Sequence, residues 1–198
     1  MPVSLKKHQK VSLSKENNSP LSQVTVGLGW DPVKKKKGLL SSMFGGASDP
    51  SIDLDASCAM LDRFGNLVDV VWFAKPKSNC GSISHGGDNR TGEGDGDDET
   101  ISVSLASVPQ NVQHLAFTVN SFRGQTFNEV ENAFCRVVGS NEKELARYNL
   151  SEQGSHTGIL IAAMTRSGSD WEFEAHGKAC KGRMIEDMLP SIIAELVQ

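Results

Sequence analysis

The chain has 198 residues, a formal net charge of −4 and 38% hydrophobic residues, which is enough for one ordinary hydrophobic core. The small net charge gives no reason to expect a nucleic-acid partner. Residues 1–7 lack the apolar stretch of a signal peptide, and no segment has the length of a membrane span. We therefore expect one cytoplasmic domain that spans residues 1–198.

Short segments of alternating apolar and polar residues recur along the chain and predict an all-β fold, an antiparallel β-sandwich. Alternation indicates a strand with one buried face, because successive side chains point to opposite sides of a sheet. Polar turns at 62–66 and 167–170 predict two hairpins. The predicted strands are 24–30, 54–60, 67–73, 101–105, 114–120, 134–138, 158–165 and 171–177.

Two helices are predicted beside the sheets. Apolar residues near the C-terminus recur at helical spacing and form one stripe, which predicts an amphipathic helix packed on the core. Pro190 falls within this stripe, so we expect a kink or two shorter helices there. A short additional helix is predicted at 127–134. The residues of the stripe are Ile185, Met188, Leu189, Ile192, Ile193 and Leu196.

The segment 33–50 departs from the strand pattern and predicts an insertion. Four consecutive lysines begin at Lys34, and apolar residues up to Phe44 follow them. One interpretation is a mobile surface loop, which is the commoner use of such an insertion. The other is peripheral membrane association through the segment from Lys34 to Phe44, where each lysine would contribute about 1 kcal/mol near an anionic surface.

The most informative feature is the segment 88–99, which we call the acidic loop. Six carboxylates fall within its twelve residues, and glycines are interleaved among them. Two unit charges about 4 Å apart repel by about 4 kcal/mol at an effective dielectric constant near 20, so a bound cation would stabilise such a loop. Oxygen ligands without His or Cys are those that calcium prefers. The loop therefore predicts a calcium site.

The two alternatives to this interpretation are a disordered linker and an EF-hand. Acidic, glycine-rich segments are often disordered linkers, but alternating segments at 82–84 and 100–105 flank this one, so it is expected to join two strands. The loop also fails as an EF-hand, because Arg90 and Gly92 occupy ligand positions and Glu93 occupies the position that requires glycine. The strand-like flanks argue against that motif as well.

More distant acids are expected to complete the site. Asp31 follows a predicted strand, and Asp53 and Asp55 share one face of another, although an ordinary exposed acid is the alternative for each. This number of oxygens suffices for two calcium ions. The candidate calcium ligands are Asp31, Asp53, Asp55, Asp88, Asn89, Thr91, Glu93, Asp95, Asp97, Asp98 and Glu99.

These residues also carry a family resemblance. The sequence Gly-Leu-Gly-Trp-Asp at 27–31, the segment 53–57 and the stretch 85–99 strongly resemble the tellurium-resistance TerD family. The likeness continues through 132–136 and 144–148 and spans nearly the whole chain. The lysine-rich insertion and the segment 119–127 are most similar to the TerZ branch.

The resemblance implies a β-sandwich that binds calcium at one end, in a bacterial cytoplasmic protein of tellurite and chemical stress resistance. It also implies partners among other tellurium-resistance proteins, a TerC-like membrane protein and a TerB-like protein. A complex at the inner face of the cytoplasmic membrane is therefore expected. The resemblance does not supply a reaction.

Three classes of function follow from the sequence. The leading hypothesis is a non-enzymatic calcium-binding module that docks partners. The second is a divalent-metal-dependent hydrolase acting on a phosphate-containing substrate. Against it, no phosphate-cradling loop or arginine clamp is evident, and His85, expected at a turn or strand edge, and Arg90 are the basic candidates nearby. The third is thiol chemistry on tellurite, for which Cys58 and Cys135 are predicted to be buried and Cys80 exposed.

Overall fold

Twelve strands and two short helices make up the part of the chain that the structure, a computed structural model, describes: residues 2–17, 21–33, 52–87, 96–121, 123–140, 142–151 and 153–197. The strands are β1 (Val3–Leu5), β2 (Lys10–Ser12), β3 (Gln23–Pro32), β4 (Asp55–Leu61), β5 (Leu67–Val71), β6 (Ile83–His85), β7 (Glu99–Ser104), β8 (His114–Asn120), β9 (Val130–Gly139), β10 (Glu144–Asn149), β11 (Gly158–Ser167) and β12 (Asp170–Cys180). The helices are α1 (Leu13–Asn17) and α2 (Ile185–Leu196). In these ranges no helix is both long and apolar enough to cross a membrane.

The strands form two six-stranded sheets, which confirms the predicted β-sandwich. The first sheet has the order β1-β10-β9-β3-β7-β6, and the second has the order β2-β12-β11-β8-β4-β5. Neighbouring strands are antiparallel except β1 and β10, which are parallel. Strands β6 and β7 pair with each other, so the acidic loop does connect two paired strands. Both predicted hairpins, β4–β5 and β11–β12, are present.

The main core lies between the sheets and is built by alternating side chains. In β7, the half-buried Ser102 lies between Ile101 and Val103, which are both fully buried. They pack with apolar side chains of the facing sheet, such as Phe117 and Phe173. Every residue of β4 and β8 is buried, because α2 covers the outer face of the second sheet and forms a second apolar cluster there around Met188.

Two predictions about helices are corrected. The segment predicted as a helix at 127–134 is a 3₁₀ turn, Phe127–Glu129, followed directly by β9. Strand β9 pairs with β3 on one side and β10 on the other, so the sheet supplies the backbone hydrogen bonds that a helix would have supplied. The short additional helix is α1 instead.

Helix α2 is one continuous helix, so two shorter helices at Pro190 were a wrong prediction. Proline removes one backbone N–H donor, and the apolar stripe around Met188 and Ile192 packs on the sheet on both sides of it. The predicted packing of this stripe against the protein is confirmed. Of the predicted insertion, residues 34–50 lie outside the described residues.

Candidate metal site at the acidic loop

The structure describes six of the eleven predicted ligands and places them around one end of the sandwich. Asp31 lies near the end of β3, Asp55 begins β4, and Glu99 begins β7. Leu28 of β3 pairs with Glu99 of β7, which brings these strand ends together. The other described ligands are Asp53, Asp97 and Asp98, whereas Asp88, Asn89, Thr91, Glu93 and Asp95 lie outside the described residues.

The glycines of the Gly-Leu-Gly-Trp-Asp segment let the end of the acidic loop lie directly on β3. A Cβ atom added to Gly27 would lie 2.2 Å from Oδ2 of Asp97. A Cβ atom on Gly29 would lie 2.3 Å from the ring of Phe134 and 2.8 Å from the carbonyl oxygen of Gly96. Two residues apart in a strand, these glycines share the outer face, while Leu28 between them points into the core. The spacing therefore makes a cradle for residues 96–98.

Asp97 is held in this cradle by an arginine. Its two carboxylate oxygens accept hydrogen bonds from Nε and Nη2 of Arg136, at 2.7 and 3.1 Å. Arg136 also donates to Glu144 at 3.1 Å. Since Gly27 and Arg136 are directly paired across β3 and β9, the missing side chain of Gly27 is what makes room for the ion pair. Asp53 likewise faces an arginine, with Nε of Arg123 at 2.9 Å.

Glu99 joins the two sheets through buried polar contacts. Its Oε2 accepts a hydrogen bond of 2.7 Å from the backbone N–H of Ala56, in the opposite sheet. The same oxygen lies 3.2 Å from Nε2 of His85, and both side chains are fully buried. His85 belongs to β6, the edge strand of the first sheet, as predicted. Its Nδ1 accepts from the N–H of Gly87 at 3.1 Å, which places the proton of a neutral ring on the nitrogen that faces Glu99.

Asp98 is the acid on which three neighbouring carboxylates act. Burial raises the pKa of the Asp98 carboxyl above its ordinary value, and the carboxylates of Asp31, Glu99 and Asp97 raise it further. A hydrogen bond of 2.7 Å from the backbone N–H of Trp30 acts in the opposite direction. Asp31 and Asp98 line one cleft of about 550 Å³, together with Trp30, Asn132, Phe134 and Arg147.

The described acids do not form a compact carboxylate cluster by themselves. Within the described ranges, none of the six belongs to a set of three metal-ligating side chains whose ligand atoms lie within 4.8 Å of one another. A complete calcium shell takes 6–8 oxygens at about 2.3–2.6 Å. Completing one here therefore requires further oxygens, and five of the predicted ligands belong to the part of the acidic loop outside the described residues.

The structure places basic residues near the acids that were not expected from the sequence. Sequence reasoning named only His85 and Arg90, but Arg136 and Arg123 contact Asp97 and Asp53, and Arg147 lines the cleft. Arg90 lies outside the described residues. Arg147 stacks its guanidinium on the ring of Phe134 at 3.9 Å. Buried and partly exposed residues alternate along β9, and the outward position of Arg136 in this pattern is the feature that could have identified it from the sequence. Its partner Asp97, however, is 39 residues away in sequence.

The cysteines are placed as predicted. Cys58 and Cys135 are fully buried, and burial raises the pKa of both thiols. Cys80 is exposed, and hydrogen bonds from Ser78 and Ser82 lower its pKa although partial burial opposes them. Cys80 is therefore the thiol most accessible to chemistry, and it lies outside the cleft.

Comparison with known proteins places this architecture in a family. The model of the TerD domain matches residues 1–190. The chain is 60% identical to the tellurium resistance protein TerZ of Serratia marcescens over 99% of this chain and 100% of that protein. It is 42% identical to the stress response protein SCP2 of Bacillus subtilis, covering 96% of this chain and 98% of that one.

A solved structure agrees with these sequence relatives. The crystal structure of a TerD homologue from Streptomyces coelicolor is 25% identical and superposes with a TM-score of 0.64, over 88% of this chain and 96% of that one. The β-sandwich and these matches together identify a TerD-domain protein. The chain belongs to the TerD family, and its resemblance to the TerZ protein extends over nearly its full length.

Proposed function

We propose that the acidic end binds calcium. The observation that carries this proposal is the crowding of carboxylates around Asp98, whose pKa is raised by burial and by Asp31, Glu99 and Asp97. Carboxylates crowded in this way repel one another. A divalent cation relieves that repulsion, and the donor atoms are hard oxygens of the kind that calcium prefers.

The contacts divide the predicted ligands into two groups. Asp97, Asp53 and Glu99 already face Arg136, Arg123 and His85, respectively, and we assign them to positioning the loop and the strand ends. Asp31 and Asp98 share the cleft, and Asp55 begins β4 next to Ala56, which donates to Glu99. We propose these three as ligands, together with Asp88, Asn89, Thr91, Glu93 and Asp95, for one or two calcium ions.

Calcium binding would stabilise the folded state and hold the acidic loop around the ion. A ligand that binds only the folded state stabilises it by about 2.7 kcal/mol at a hundredfold excess over Kd. The loop would then present a defined surface at one end of the sandwich. We propose that this surface docks a partner protein, and that the chain acts as a non-enzymatic module in resistance to tellurium compounds and other chemical stress.

The names of the relatives support the biological part of this proposal. One is a tellurium resistance protein and another a stress response protein, and both cover almost the whole chain. A TerC-like membrane protein and a TerB-like protein are the partners we propose, with docking at the inner face of the cytoplasmic membrane. Capture of a purified partner in calcium but not in a calcium chelator would support docking. Equal capture in both conditions would contradict it.

Calorimetric titration of the purified chain with calcium tests the binding site. We expect saturable binding of one or two ions, selectivity over magnesium, and a higher Tm with calcium. Asp98→Asn should weaken calcium binding. The asparagine side-chain oxygen can still accept the hydrogen bond from the backbone N–H of Trp30. Glu186→Gln is the matched control, because it removes one charge from an exposed position of α2. No heat of binding and an unchanged Tm in excess calcium would refute the proposal.

A hydrolase acting on a phosphate-containing substrate is the second candidate. The observation in its favour is that Arg147 lines the same cleft as Asp31 and Asp98. Arg147 is, however, engaged with Glu144 at 3.4 Å and with Asn149 at 3.2 Å. A phosphatase assay with magnesium or manganese separates the two candidates. Turnover that is lost in Arg147→Ala would favour the hydrolase.

A further inference from the structure

A second group of potential metal ligands lies on the outer face of the second sheet. His8, Glu174 and His176 each offer one ligand atom, and these three atoms lie within 4.8 Å of one another. They border a cavity of about 350 Å³ that is also lined by His114 and Glu195. We call this cavity the β12 pocket. Strands β11 and β8 separate β12 from β4, which is about 14 Å of sheet, so the pocket is distinct from the acidic end.

The backbone fixes His8 opposite its two potential co-ligands. The N–H of His8 donates to the carbonyl oxygen of Ala175 at 2.6 Å, and the N–H of Ala175 donates to the carbonyl oxygen of Gln9 at 3.1 Å. Ala175 lies between Glu174 and His176, so these bonds hold His8 next to both. His8 has a φ of 62°, in the left-handed region that non-glycine residues seldom adopt. The turn between β1 and β2 therefore presents this side chain to β12.

His176 is oriented by a carboxylate. Its Nδ1 lies 3.2 Å from Oε1 of Glu195, near the end of α2, and the side chain is only 4% exposed. The carboxylate accepts a hydrogen bond from the Nδ1–H of a neutral His176 ring, which leaves the ring's lone pair on Nε2. That Nε2 is buried and has no hydrogen-bond partner among the described residues.

A buried imidazole whose second nitrogen is held by a carboxylate is the usual supporting arrangement of a metal-binding histidine. The same Oε1 of Glu195 lies 3.6 Å from Nδ1 of His8, so one carboxylate faces both rings. The other charged groups around the pocket are paired with each other: Lys10 with Glu172 at 3.3 Å, and Lys178 with Glu195 at 3.3 Å. Glu174 supplies the remaining negative charge.

We propose that the β12 pocket binds one divalent transition-metal ion of the zinc type through His8, Glu174 and His176. Two imidazoles and one carboxylate form a donor set that zinc accepts, with the fourth position left to water or another ligand. Because the three atoms lie within 4.8 Å of one another, an ion at their centre would lie at most about 2.8 Å from each, so each must move by no more than about 0.7 Å to reach bonding distance. His8 is more than half exposed and can make such a movement.

The bound ion would link the N-terminal turn to the centre of β12. Strand β2 pairs with β12 over only three residues, and it is the edge strand of the second sheet. A metal bond from His8 to His176 would hold this edge in place and would connect it, through Glu195, to α2. This inference does not depend on calcium binding at the acidic end, because it uses different residues and different donor chemistry.

Titration of the full chain with zinc in saturating calcium tests the proposal. A Cys80→Ser background removes the exposed thiol as an alternative ligand. We expect one zinc ion per chain, and His8→Ala should weaken binding at least tenfold. His176→Gln should do the same. Glu195→Gln removes the orienting carboxylate and should cost about 10- to 100-fold in affinity. His156→Gln is the matched control and should bind zinc normally, because His156 stacks on Phe127 and does not line the pocket.

Cobalt gives a readout that packing changes alone would not produce. Cobalt bound in place of zinc should show the visible absorption bands of a four-coordinate ion, and these bands should be absent in His8→Ala. Because His8 is exposed, its substitution is not expected to unfold the chain even if the His176 variant does. Zinc affinity that is unchanged in His8→Ala, or zinc binding that is lost only in His156→Gln, would overturn the proposal.

Discussion

Substituting Gly27 by alanine tests whether the glycine cradle positions the acidic loop. The new Cβ atom would lie 2.2 Å from Oδ2 and 2.4 Å from Oδ1 of Asp97. Since nonbonded heavy atoms are in contact at about 3.5 Å, the Asp97 carboxylate must retreat by about 1.3 Å. Its hydrogen bonds of 2.7 and 3.1 Å to Arg136 would then exceed the usual limits.

The cost of losing this ion pair can be bounded. Hydrogen bonds to charged groups contribute about 1.5–3 kcal/mol each. The Arg136 side chain is 30% exposed and keeps Glu144 as a partner, so we discount this to about 1–2 kcal/mol for Gly27→Ala. For a chain of this length that lowers Tm by about 2–8 °C.

A double-mutant cycle followed by urea denaturation separates this mechanism from general strain. Asp97→Ala should cost about as much as Gly27→Ala, and the double variant should cost little more than either, because both remove the same ion pair. Gly158→Ala is the matched control. Gly158 lies in the second sheet, where its Cβ atom would meet Met188 of α2, so its effect should add to that of Asp97→Ala. Full additivity of Gly27→Ala and Asp97→Ala would refute the reasoning.

Three further predictions concern other parts of the chain. Hydrogen bonds from Ser12 and Ser14 hold the pKa of Asp170 below its ordinary value although burial raises it, so its stabilisation is present at neutral pH and lost as the pH falls through that lowered pKa. Asp170→Asn should therefore flatten the acid limb of the Tm–pH profile, and an unchanged limb would contradict this. Iodoacetamide should modify Cys80 alone in the folded protein, since the other three cysteines are buried, and mass spectrometry would reveal any second modified thiol. Met188→Ala should lower the free energy of unfolding by about 2–5 kcal/mol in urea, because Met188 is fully buried where α2 packs on the second sheet; a loss below 1 kcal/mol would show that this packing is loose.

The strands that alternation predicted do place their inward residues in the main core. Strand β10 escaped prediction because Glu144, Leu145, Ala146 and Arg147 are good helix formers. They form a strand because β9 and β1 pair with them on both sides, and such long-range pairing overrides local propensity. The false helix at 127–134 has the same origin, since β9 also lies between two strands.

The candidate site was predictable to the extent that its residues are neighbours in sequence. The acidic loop concentrates its carboxylates within twelve residues, and the pattern is visible without a structure. The partners that hold it are distant: Arg136 reaches Asp97 across 39 residues, and Ala56 donates to Glu99 across 43. No local pattern links such residues. The histidines of the β12 pocket, His8 and His176, come from opposite ends of the chain and were missed for the same reason.

Both candidate sites lie on surfaces where a segment from elsewhere in the chain covers a sheet. On the first sheet, residues 96–98 lie over Gly27 and Gly29; on the second, α2 lies over β12 and brings Glu195 to His176. Inner faces of a sandwich must be apolar because they form the core, whereas a covered outer face is partly dry and still accepts polar side chains. Such a surface desolvates carboxylates and imidazoles enough to favour a bound cation while leaving it access to solvent. The acidic end offers hard oxygen donors, whereas the β12 pocket also offers imidazoles. We therefore expect the acidic end to select calcium and the β12 pocket to select zinc.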